Sequence, residues 1–283
     1  MEIQSLKIGV CGAGTMGSGI ALTCAMHGFE VILFDRDISV IAAAKNKIAS
    51  DLQLFIGKNK ISAEDNIFQK IHFTSFIGDC MADLIIEAII EKAEVKAGLF
   101  NNLAAFNASS TIFATNTSSL SVTAIAEQFS KPEQLAGMHF FNPATIMKLV
   151  EVVKTKYSSE KTIGTISRLA NSIGKTTVLC KDAPGFIVNH VARPYYLEAL
   201  YLVEKFKAGV QSIDALMESS GFKMGPFRLM DLIGNDINYS VSSILYDALG
   251  KPERLRPSPI QEEKVASGHL GRKTGRGYYE YTK

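Results

Sequence analysis

The chain has 283 residues, of which 47% are hydrophobic, and its 30 basic residues against 28 acidic ones give a formal net charge of +2. This length favours about two domains, and the balanced charge without like-charge runs makes nucleic acid and anionic membranes poor candidate partners. Four scattered cysteines without a CxxC pair argue against a zinc site or a disulfide framework, and the opening has no leader pattern. No apolar run reaches the ~18 residues of a membrane helix, so we expect a metal-free, soluble, cytoplasmic protein.

The first elements form a βαβ unit: "KIGVC" is strand-like, "GAGTMG" is a tight turn, an Ala-rich helix follows, and "EVILFD" is a second strand. Six further strands are predicted, with helical patterns between several of them. They cover residues 71–75, 83–88, 111–115, 135–140, 149–153 and 176–180. This alternation predicts an α/β fold with a doubly wound, mostly parallel sheet covered by helices.

A long amphipathic insert follows the second strand. Five apolar residues lie there at helical spacing, namely Ile41, Ala44, Ile48, Leu52 and Phe55. A second helix is predicted to return from Ala63 to Lys70, so that the insert would form a helical hairpin.

The predicted secondary structure changes after "KDAPG" (181–185). Strand signals almost vanish, and a helical pattern runs on with breaks predicted at Pro194, Gly209, Gly221 and Pro226. We place a domain boundary near Ala183. The expected organisation is a Rossmann-type domain over 1–183 and an all-α domain over 184–283.

The turn after the first strand carries a GxGxxG pattern. The first glycine permits the turn, the second lets backbone N–H groups approach a pyrophosphate, and the third lets the helix pack on the strand. The predicted cofactor-binding residues of this turn are Gly12, Ala13, Gly14, Thr15, Met16 and Gly17. Asp35 would hold the adenosine ribose and favour NAD over NADP, although Arg36 beside it could pair with an extra phosphate. The alternative is a Rossmann-like fold that has lost its nucleotide.

A polar cluster, "ATNTSSL" (114–120), ends a predicted strand, where ligands of doubly wound sheets bind. The same residues have a structural interpretation, because Ser119 or Ser121 could cap the helix predicted over 122–129.

His139 lies at the end of another predicted strand, and Glu151 follows twelve residues later. An imidazole can exchange a proton with an alcohol near neutral pH, and a carboxylate can fix its tautomer and stabilise its charged form. Residue context alone leaves a structural histidine equally plausible.

Several stretches together resemble the 3-hydroxyacyl-CoA dehydrogenase family, including the bacterial 3-hydroxybutyryl-CoA dehydrogenases. They span nearly the whole chain in the family's order: "GVCGAGTMGSGIA", "EAIIE", "TNTSSLS", "HFFNPATIMKLVEVV", "KDAPGFIVN", "MGPFRLMDLIG" and "GRKTGRGYY". The resemblance implies an NAD-dependent oxidoreductase of fatty-acid and lipid metabolism that interconverts a 3-hydroxyacyl-CoA and the 3-oxoacyl-CoA. It also implies a homodimer formed through the C-terminal helical domain.

The resemblance assigns roles residue by residue. His139 looks like the catalytic base and Glu151 like its paired carboxylate, while Ser118 and Asn189 match residues that contact the substrate. The further expected cofactor contacts are Glu91, Lys96, Ser118, Asn142 and Lys273. The insert corresponds to a hairpin that contacts coenzyme A, with Lys58 as a candidate contact.

Three positions depart from the family pattern. Asp51 stands where the family has a serine near the coenzyme, and an acid would not favour phosphates. Thr145 replaces a proline of the loop after His139, and Arg228 occupies a position that is often acidic or apolar. We expect Arg228 to be exposed rather than to shape the acyl pocket.

Two alternatives stay open at this point. The chain could be a dehydrogenase of a free hydroxy acid or sugar acid, which would not need coenzyme A contacts in the insert. It could also be a crystallin-like structural protein that retains the fold, although the joint presence of Ser118, His139, Glu151 and Asn189 speaks against this.

Overall fold

The computed structural model describes residues 3–62 and 65–281. The strands among these residues form one eight-stranded sheet. The strands are β1 (Lys7–Cys11), β2 (Glu30–Phe34), β3 (Ile71–Thr74), β4 (Leu84–Glu87), β5 (Ile112–Thr115), β6 (Leu135–Phe140), β7 (Leu149–Lys154) and β8 (Thr176–Lys181). Their order across the sheet is β3-β2-β1-β4-β5-β6-β7-β8. All neighbours pair in parallel except β6 and β7, which are antiparallel. The predicted fold class is confirmed, and each predicted strand is present to within one residue at either end.

Helices cover both faces of the sheet, which explains why its central strands are apolar throughout. Along β2 the side chains alternate: Val31 and Leu33 pack into one core, and Ile32 and Phe34 pack into the other. Five helices supply the covering layers: α1 (Thr15–Met26), α2 (Ile38–Gly57), α3 (Ala93–Ala104), α4 (Val122–Glu127) and α5 (Glu160–Ser172). Residues of α1, α2 and α5 belong to the first core, and residues of α3 and α4 belong to the second.

The insert after β2 is dominated by the single long helix α2, which Asp37 caps by accepting a hydrogen bond from the Ser39 N–H. Its buried residues are Ile41, Ala44, Ile48 and Leu52, as the helical spacing predicts. The second helix predicted over 63–70 is not an α-helix in its described part. Residues 63 and 64 lie outside the described residues, and Ile67–Lys70 form a 3-10 helix that begins after the left-handed Asn66. The positive φ of Asn66 is incompatible with an α-helix running through it into Ile67, although Ile67 itself is buried in the first core.

The chain divides into two compact units, Met1–Ala183 and Pro184–Lys283. The described part of the second unit contains no strand of the sheet and is built from helices. These are α6 (Val188–Phe206), α7 (Val210–Ser219), α8 (Pro226–Ile233), α9 (Asn235–Ala248) and α10 (Pro259–Ala266). None of the described helices is long and apolar enough to cross a membrane.

The break predicted at Pro194 is wrong, because α6 continues through it. Proline removes one backbone donor from a helix, but the apolar face of α6 keeps packing beyond it. Tyr196, Leu197 and Leu200 are buried against Phe227 and other residues of the second unit's core. Tertiary packing therefore outweighs the local cost of the proline.

Candidate active site

The glycine-rich turn between β1 and α1 combines crowded and open positions. Gly12 has φ +100°, and a Cβ there would lie 2.5 Å from the Ala88 carbonyl oxygen. A Cβ on Gly17 would lie 1.7 Å from the Gly12 carbonyl oxygen, so the close packing requires glycine at both places. By contrast, no atom of the described residues lies within 4 Å of a Cβ built on Gly14. Gly14 caps α1 without a side-chain hydrogen bond, so the helix N-terminus offers N–H groups where a phosphate would fit.

A carboxylate at the end of β2 lies against this turn. Asp35 Oδ2 accepts a hydrogen bond from the Ala13 N–H at 2.9 Å, and its Oδ1 accepts one from the Asp37 N–H at 3.1 Å. Arg36 is exposed. A carboxylate in this position can accept hydrogen bonds from the ribose hydroxyls and repels a 2′-phosphate. The turn residues 12–17 and Asp35 thus fit NAD, which would place its pyrophosphate at Gly14.

His139 and Glu151 are direct partners across the antiparallel strands β6 and β7. Nδ1 of the imidazole and Oε2 of the carboxylate are 2.7 Å apart, and both residues are buried, with 5% and 1% of their surface exposed. Because an ionised carboxylate can only accept, Nδ1 donates this hydrogen bond and Nε2 is the nitrogen for exchange with a substrate. The Phe140 N–H donates to Asn116 Oδ1 at 2.8 Å, which ties this end of β6 to the loop after β5.

Glu91 organises the loop that contains Ser118. Its Oε1 accepts hydrogen bonds from the Thr117 hydroxyl, from the Ser118 N–H at 3.2 Å and from Ser119 Oγ at 3.2 Å. Ser121 caps α4 by accepting from the backbone of its first turn, so Ser121 rather than Ser119 is the capping residue. Glu91, a predicted cofactor contact, therefore positions the loop that carries Ser118, a predicted substrate contact.

A buried lysine lies between two carboxylates near the end of β4. Lys96 Nζ is 2.6 Å from Glu87 Oε1 and 3.0 Å from Glu91 Oε2, and only 1% of the lysine side chain is exposed. Glu87 also accepts from the Ile89 N–H at 2.6 Å and from the Thr115 hydroxyl at 2.7 Å. Burial raises the pKa of Glu87 despite these partners. Burial also acts to raise the pKa of Glu91, but Lys96 and the loop hydrogen bonds outweigh it and lower that pKa.

The loop between β6 and β7 carries Asn142, which is exposed and precedes a cis peptide bond to Pro143. Lys175 binds the backbone of this loop. Its ammonium donates to the carbonyl oxygens of Ala144 and, at 3.0 Å, of Met147. Burial lowers the pKa of Lys175. The segment next to His139 is therefore held by a buried cation on backbone carbonyls.

Two of the predicted site residues belong to the second unit. Asn189 lies in the first turn of α6, and Lys273 binds Asp236 through both carboxylate oxygens at 2.6 and 2.7 Å. The Arg228 side chain is 43% exposed and pairs with Glu218 at 2.7 Å, so Arg228 is half-buried rather than fully exposed as expected. The roles of Asn189 and Lys273 toward substrate and cofactor stay predictions.

The predicted coenzyme contact Lys58 is exposed at the C-terminal end of α2. Asp51, on the same helix, forms an ion pair with Lys47 at 2.7 Å. This pairing offsets the charge of the acid that departs from the family pattern. No group of three or more potential metal ligands occurs among the described residues.

Residue types alone did not single out Glu87 or Lys175. Glu87 ends an otherwise apolar strand at the ligand-binding edge of the sheet, and that position was a usable signal. Lys175 follows a helix and precedes β8 in an ordinary polar connection, so nothing local marks it as buried.

Two family models match the chain. The model described as "3-hydroxyacyl-CoA dehydrogenase, NAD binding domain" matches residues 7–183, and "3-hydroxyacyl-CoA dehydrogenase, C-terminal domain" matches residues 185–281. The predicted NAD cofactor is thereby confirmed for the first unit.

Individual relatives agree with these models. The 3-hydroxyadipyl-CoA dehydrogenase of Escherichia coli is 42% identical over 99% of this chain, which spans 60% of that protein's length. The mitochondrial hydroxyacyl-coenzyme A dehydrogenase of Sus scrofa is 38% identical over 99% of this chain and 92% of its own length. The crystal structure of (S)-3-hydroxybutyryl-CoA dehydrogenase PaaH1 from Ralstonia eutropha is 34% identical, with a TM-score of 0.92 over 98% of this chain and 99% of that one.

The glycine turn with Asp35, the paired His139 and Glu151, and the matches along both units lead to one assignment. The chain belongs to the 3-hydroxyacyl-CoA dehydrogenase family, whose members are NAD-dependent oxidoreductases.

Proposed function

We propose that this protein interconverts a 3-hydroxyacyl-CoA and the corresponding 3-oxoacyl-CoA, with His139 as the general acid and base. The observation that carries the proposal is the buried 2.7 Å hydrogen bond between His139 Nδ1 and Glu151 Oε2. It gives the imidazole a fixed orientation and tautomer at the end of β6. The names of the relatives support the coenzyme A thioester as the substrate class.

In the oxidative direction, His139 Nε2 takes the proton of the substrate's 3-hydroxyl group. NAD, when bound, supplies the hydride acceptor at its nicotinamide ring. Glu151 stabilises the imidazolium that forms, because its carboxylate already faces Nδ1. Reduction of the 3-oxo group runs through the same residues in reverse, with His139 returning the proton.

Charge also develops on the substrate oxygen, and neutral donors can stabilise it. Ser118 and Asn189 are the proposed donors. The backbone N–H of Ser118 donates to Glu91, which fixes the loop that carries the Ser118 hydroxyl. The Ser118 side chain is partly exposed and hence open to a ligand.

The remaining site residues hold the cofactor in this proposal. The turn residues 12–17 and Asp35 bind the adenosine half, and Glu91, Lys96 and Asn142 lie toward the nicotinamide half. Lys96 is almost fully buried between two carboxylates. Its proposed effect on the cofactor therefore acts through Glu91 rather than through direct contact.

Three finer assignments extend the proposal. Lys58 would contact coenzyme A from the exposed end of α2, the second unit would form a homodimer, and the protein would act in fatty-acid and lipid metabolism. Exposed apolar residues on the second unit support the dimer, among them Val191, Phe206, Leu216 and Phe222. The cytoplasmic location stays a prediction.

The test is the change in absorbance at 340 nm with purified protein, acetoacetyl-CoA and NADH. Parallel reactions replace the thioester by free acetoacetate or NADH by NADPH. We expect NADH oxidation with the thioester and much slower reactions in both parallels. Reaction with the free acid alone would overturn the substrate class, and NADH binding without any reaction would favour a protein that retains only the fold.

A further inference from the structure

Lys175, which immediately precedes β8, is a buried ammonium that no described acid neutralises. Only 8% of its surface is exposed, and none of the ion pairs among the described residues includes it. Burial lowers the pKa of Lys175, so its charged form carries an electrostatic cost. An uncompensated charge of this kind is expected chiefly at functional sites.

The hydrogen-bond partners of this ammonium are two carbonyl oxygens of one turn, residues 143–147. The Pro143 carbonyl oxygen closes this turn by accepting from the N–H groups of Ile146 at 3.0 Å and Met147 at 2.9 Å. Lys175 Nζ donates to the carbonyl oxygens of Ala144 and, at 3.0 Å, of Met147. Hydrogen bonds from a charged donor are roughly twice as strong as those between neutral groups, so the ammonium fixes the turn firmly.

The position of Lys175 is itself set by the sheet. Its N–H donates to the Ala170 carbonyl oxygen at 3.0 Å. The next residue, Thr176, pairs with Leu149 on the first rung between β7 and β8. Glu151, the partner of the predicted catalytic histidine, lies on the same strand β7. Lys175 therefore ties the 143–147 turn to the strands that carry the proton-transfer pair.

The 143–147 turn also packs against the helix of the cofactor site. A Cβ built on Gly19, in the second turn of α1, would lie 3.3 Å from the Ala144 Cβ. The N-terminus of α1 is the place where the glycine-rich turn would hold the pyrophosphate. The 143–147 turn thus lies beside the first turns of α1.

Asn142 immediately precedes this turn and depends on it for its placement. The Asn142 side chain is exposed and makes no hydrogen bond to any residue that the structure describes. Only the backbone can therefore position its amide. On one side the backbone leaves β6 at Phe140, whose N–H donates to Asn116 Oδ1 at 2.8 Å. On the other side it enters the turn that Lys175 binds.

We propose that Lys175 is a positioning residue for the nicotinamide half of NAD, acting on Asn142 through the 143–147 turn. This inference rests on the proposed function, which takes Asn142 as a contact of that half. Lys175 fixes the backbone from which the Asn142 amide, with its donor and acceptor groups, meets the cofactor. The alternative is a lysine that only stabilises the fold.

The experiment compares the dissociation constants of NADH and of ADP-ribose, which lacks the nicotinamide ring, by isothermal titration calorimetry. In Lys175→Met we expect NADH to bind about tenfold more weakly, the scale of one lost hydrogen bond, and ADP-ribose to change by less than about threefold. Lys175→Arg keeps a charged donor and should retain most of the NADH affinity. Lys161→Met, which removes an exposed lysine of α5, should leave both dissociation constants unchanged.

Gly19→Ala disturbs the 143–147 turn without removing the charge. The added Cβ meets the Ala144 Cβ at 3.3 Å, so the turn must shift by a few tenths of an ångström. Alanine suits a helix better than glycine, so we expect this variant to fold. NADH binding should weaken by about threefold or more, with ADP-ribose binding little changed.

Equal losses of NADH and ADP-ribose affinity in a folded Lys175→Met protein would make the lysine structural and overturn the inference. Two unchanged affinities would overturn it as well. If Lys175→Met does not fold, Gly19→Ala decides, and an unchanged ratio of the two dissociation constants there would count against the inference. Neither titration contains a thioester, so failure of the proposed function appears separately, as absent NADH oxidation with acetoacetyl-CoA in the wild-type protein.

Discussion

Lys96 and Glu87 form an ion pair at 2.6 Å in which neither side chain is more than 1% exposed. Through Glu91, which lies 3.0 Å from the same ammonium, the pair is connected to the Ser118 loop. The two carboxylates and one lysine leave a net negative charge next to the cofactor turn. Removing the lysine would leave both acids without compensation.

We expect Lys96→Met to lower the free energy of unfolding at pH 7 by about 3–5 kcal/mol, the usual cost of breaking a buried pair. Burial already raises the pKa of Glu87 above its ordinary value of 4.5, and without Lys96 it would rise further. A carboxyl with a folded-state pKa above its unfolded value binds its proton in the folded state, so stability returns as the pH falls. Urea unfolding should therefore show a smaller loss at pH 5 than at pH 7.

The control for this prediction is Lys47→Met, which breaks the exposed pair with Asp51 and should change stability by less than about 1 kcal/mol. Equal losses for Lys96→Met at both pH values would show that Glu87 does not carry the uncompensated charge.

Gly14 and Gly17 make a matched pair for testing the cofactor turn. Gly14→Ala adds a methyl group where the described residues leave 4 Å clear, and its φ of −67° suits any residue. We expect a folded protein whose thermal midpoint is close to wild type, with NADH binding at least tenfold weaker because the methyl group occupies the phosphate position. Gly17→Ala should fail to fold, since its Cβ would collide with backbone at 1.7 Å. Fluorescence titration with NADH checks Gly14→Ala. An unchanged NADH affinity would mean that the pyrophosphate does not bind at Gly14.

Asp35→Ser should weaken NADH binding by about 10- to 100-fold, the effect of losing charge-assisted hydrogen bonds worth ~1.5–3 kcal/mol. It should also narrow the preference for NADH over NADPH, because the repulsion of a 2′-phosphate is removed. Asp37→Ser is the control, since its carboxylate caps α2 and serine can take over that role. If the ratio of the NADH affinity to the NADPH affinity is unaltered in Asp35→Ser, then Asp35 does not determine the preference for NAD.

His139→Gln should lower kcat by about 10²–10⁴-fold, the range for loss of a general acid or base. NADH affinity should stay close to wild type, because the glycine turn and Asp35 are untouched. His72→Gln is the control, with a side chain that is 63% exposed on β3. Full turnover in His139→Gln would remove this residue from the mechanism.

Glu151→Gln tests the partner separately. The amide oxygen can still accept from His139 Nδ1, but the negative charge that stabilises the imidazolium is lost. We expect kcat to fall by about 10- to 100-fold with little change in KM for NADH, as a hydrogen bond to a charged group is worth ~1.5–3 kcal/mol. An unchanged kcat would mean that Glu151 is only structural.

Much of the first unit was predictable because its strands are short apolar runs bounded by polar or glycine residues. The run "LIIE" is buried at all four positions, as expected of a central parallel strand. The position of α6 across Pro194 was not predictable, because the packing of Leu197 and Leu200 in the second unit outweighs the local signal. Local patterns could not reveal that Arg193, on α6, is buried, since arginine in a helix is ordinarily exposed and only the tertiary fold buries it.

The antiparallel pairing of β6 and β7 has a consequence for how this protein tolerates changes in length. His139 and Glu151 meet because they share one rung of the ladder, so a single residue inserted within either strand would turn one of them to the opposite face. Residues added to the connecting loop leave that rung intact and cost only a slowly growing closure entropy. Changes in the length of the β6–β7 loop can therefore alter the surface beside the His139 imidazole while the pairing of His139 with Glu151 is kept.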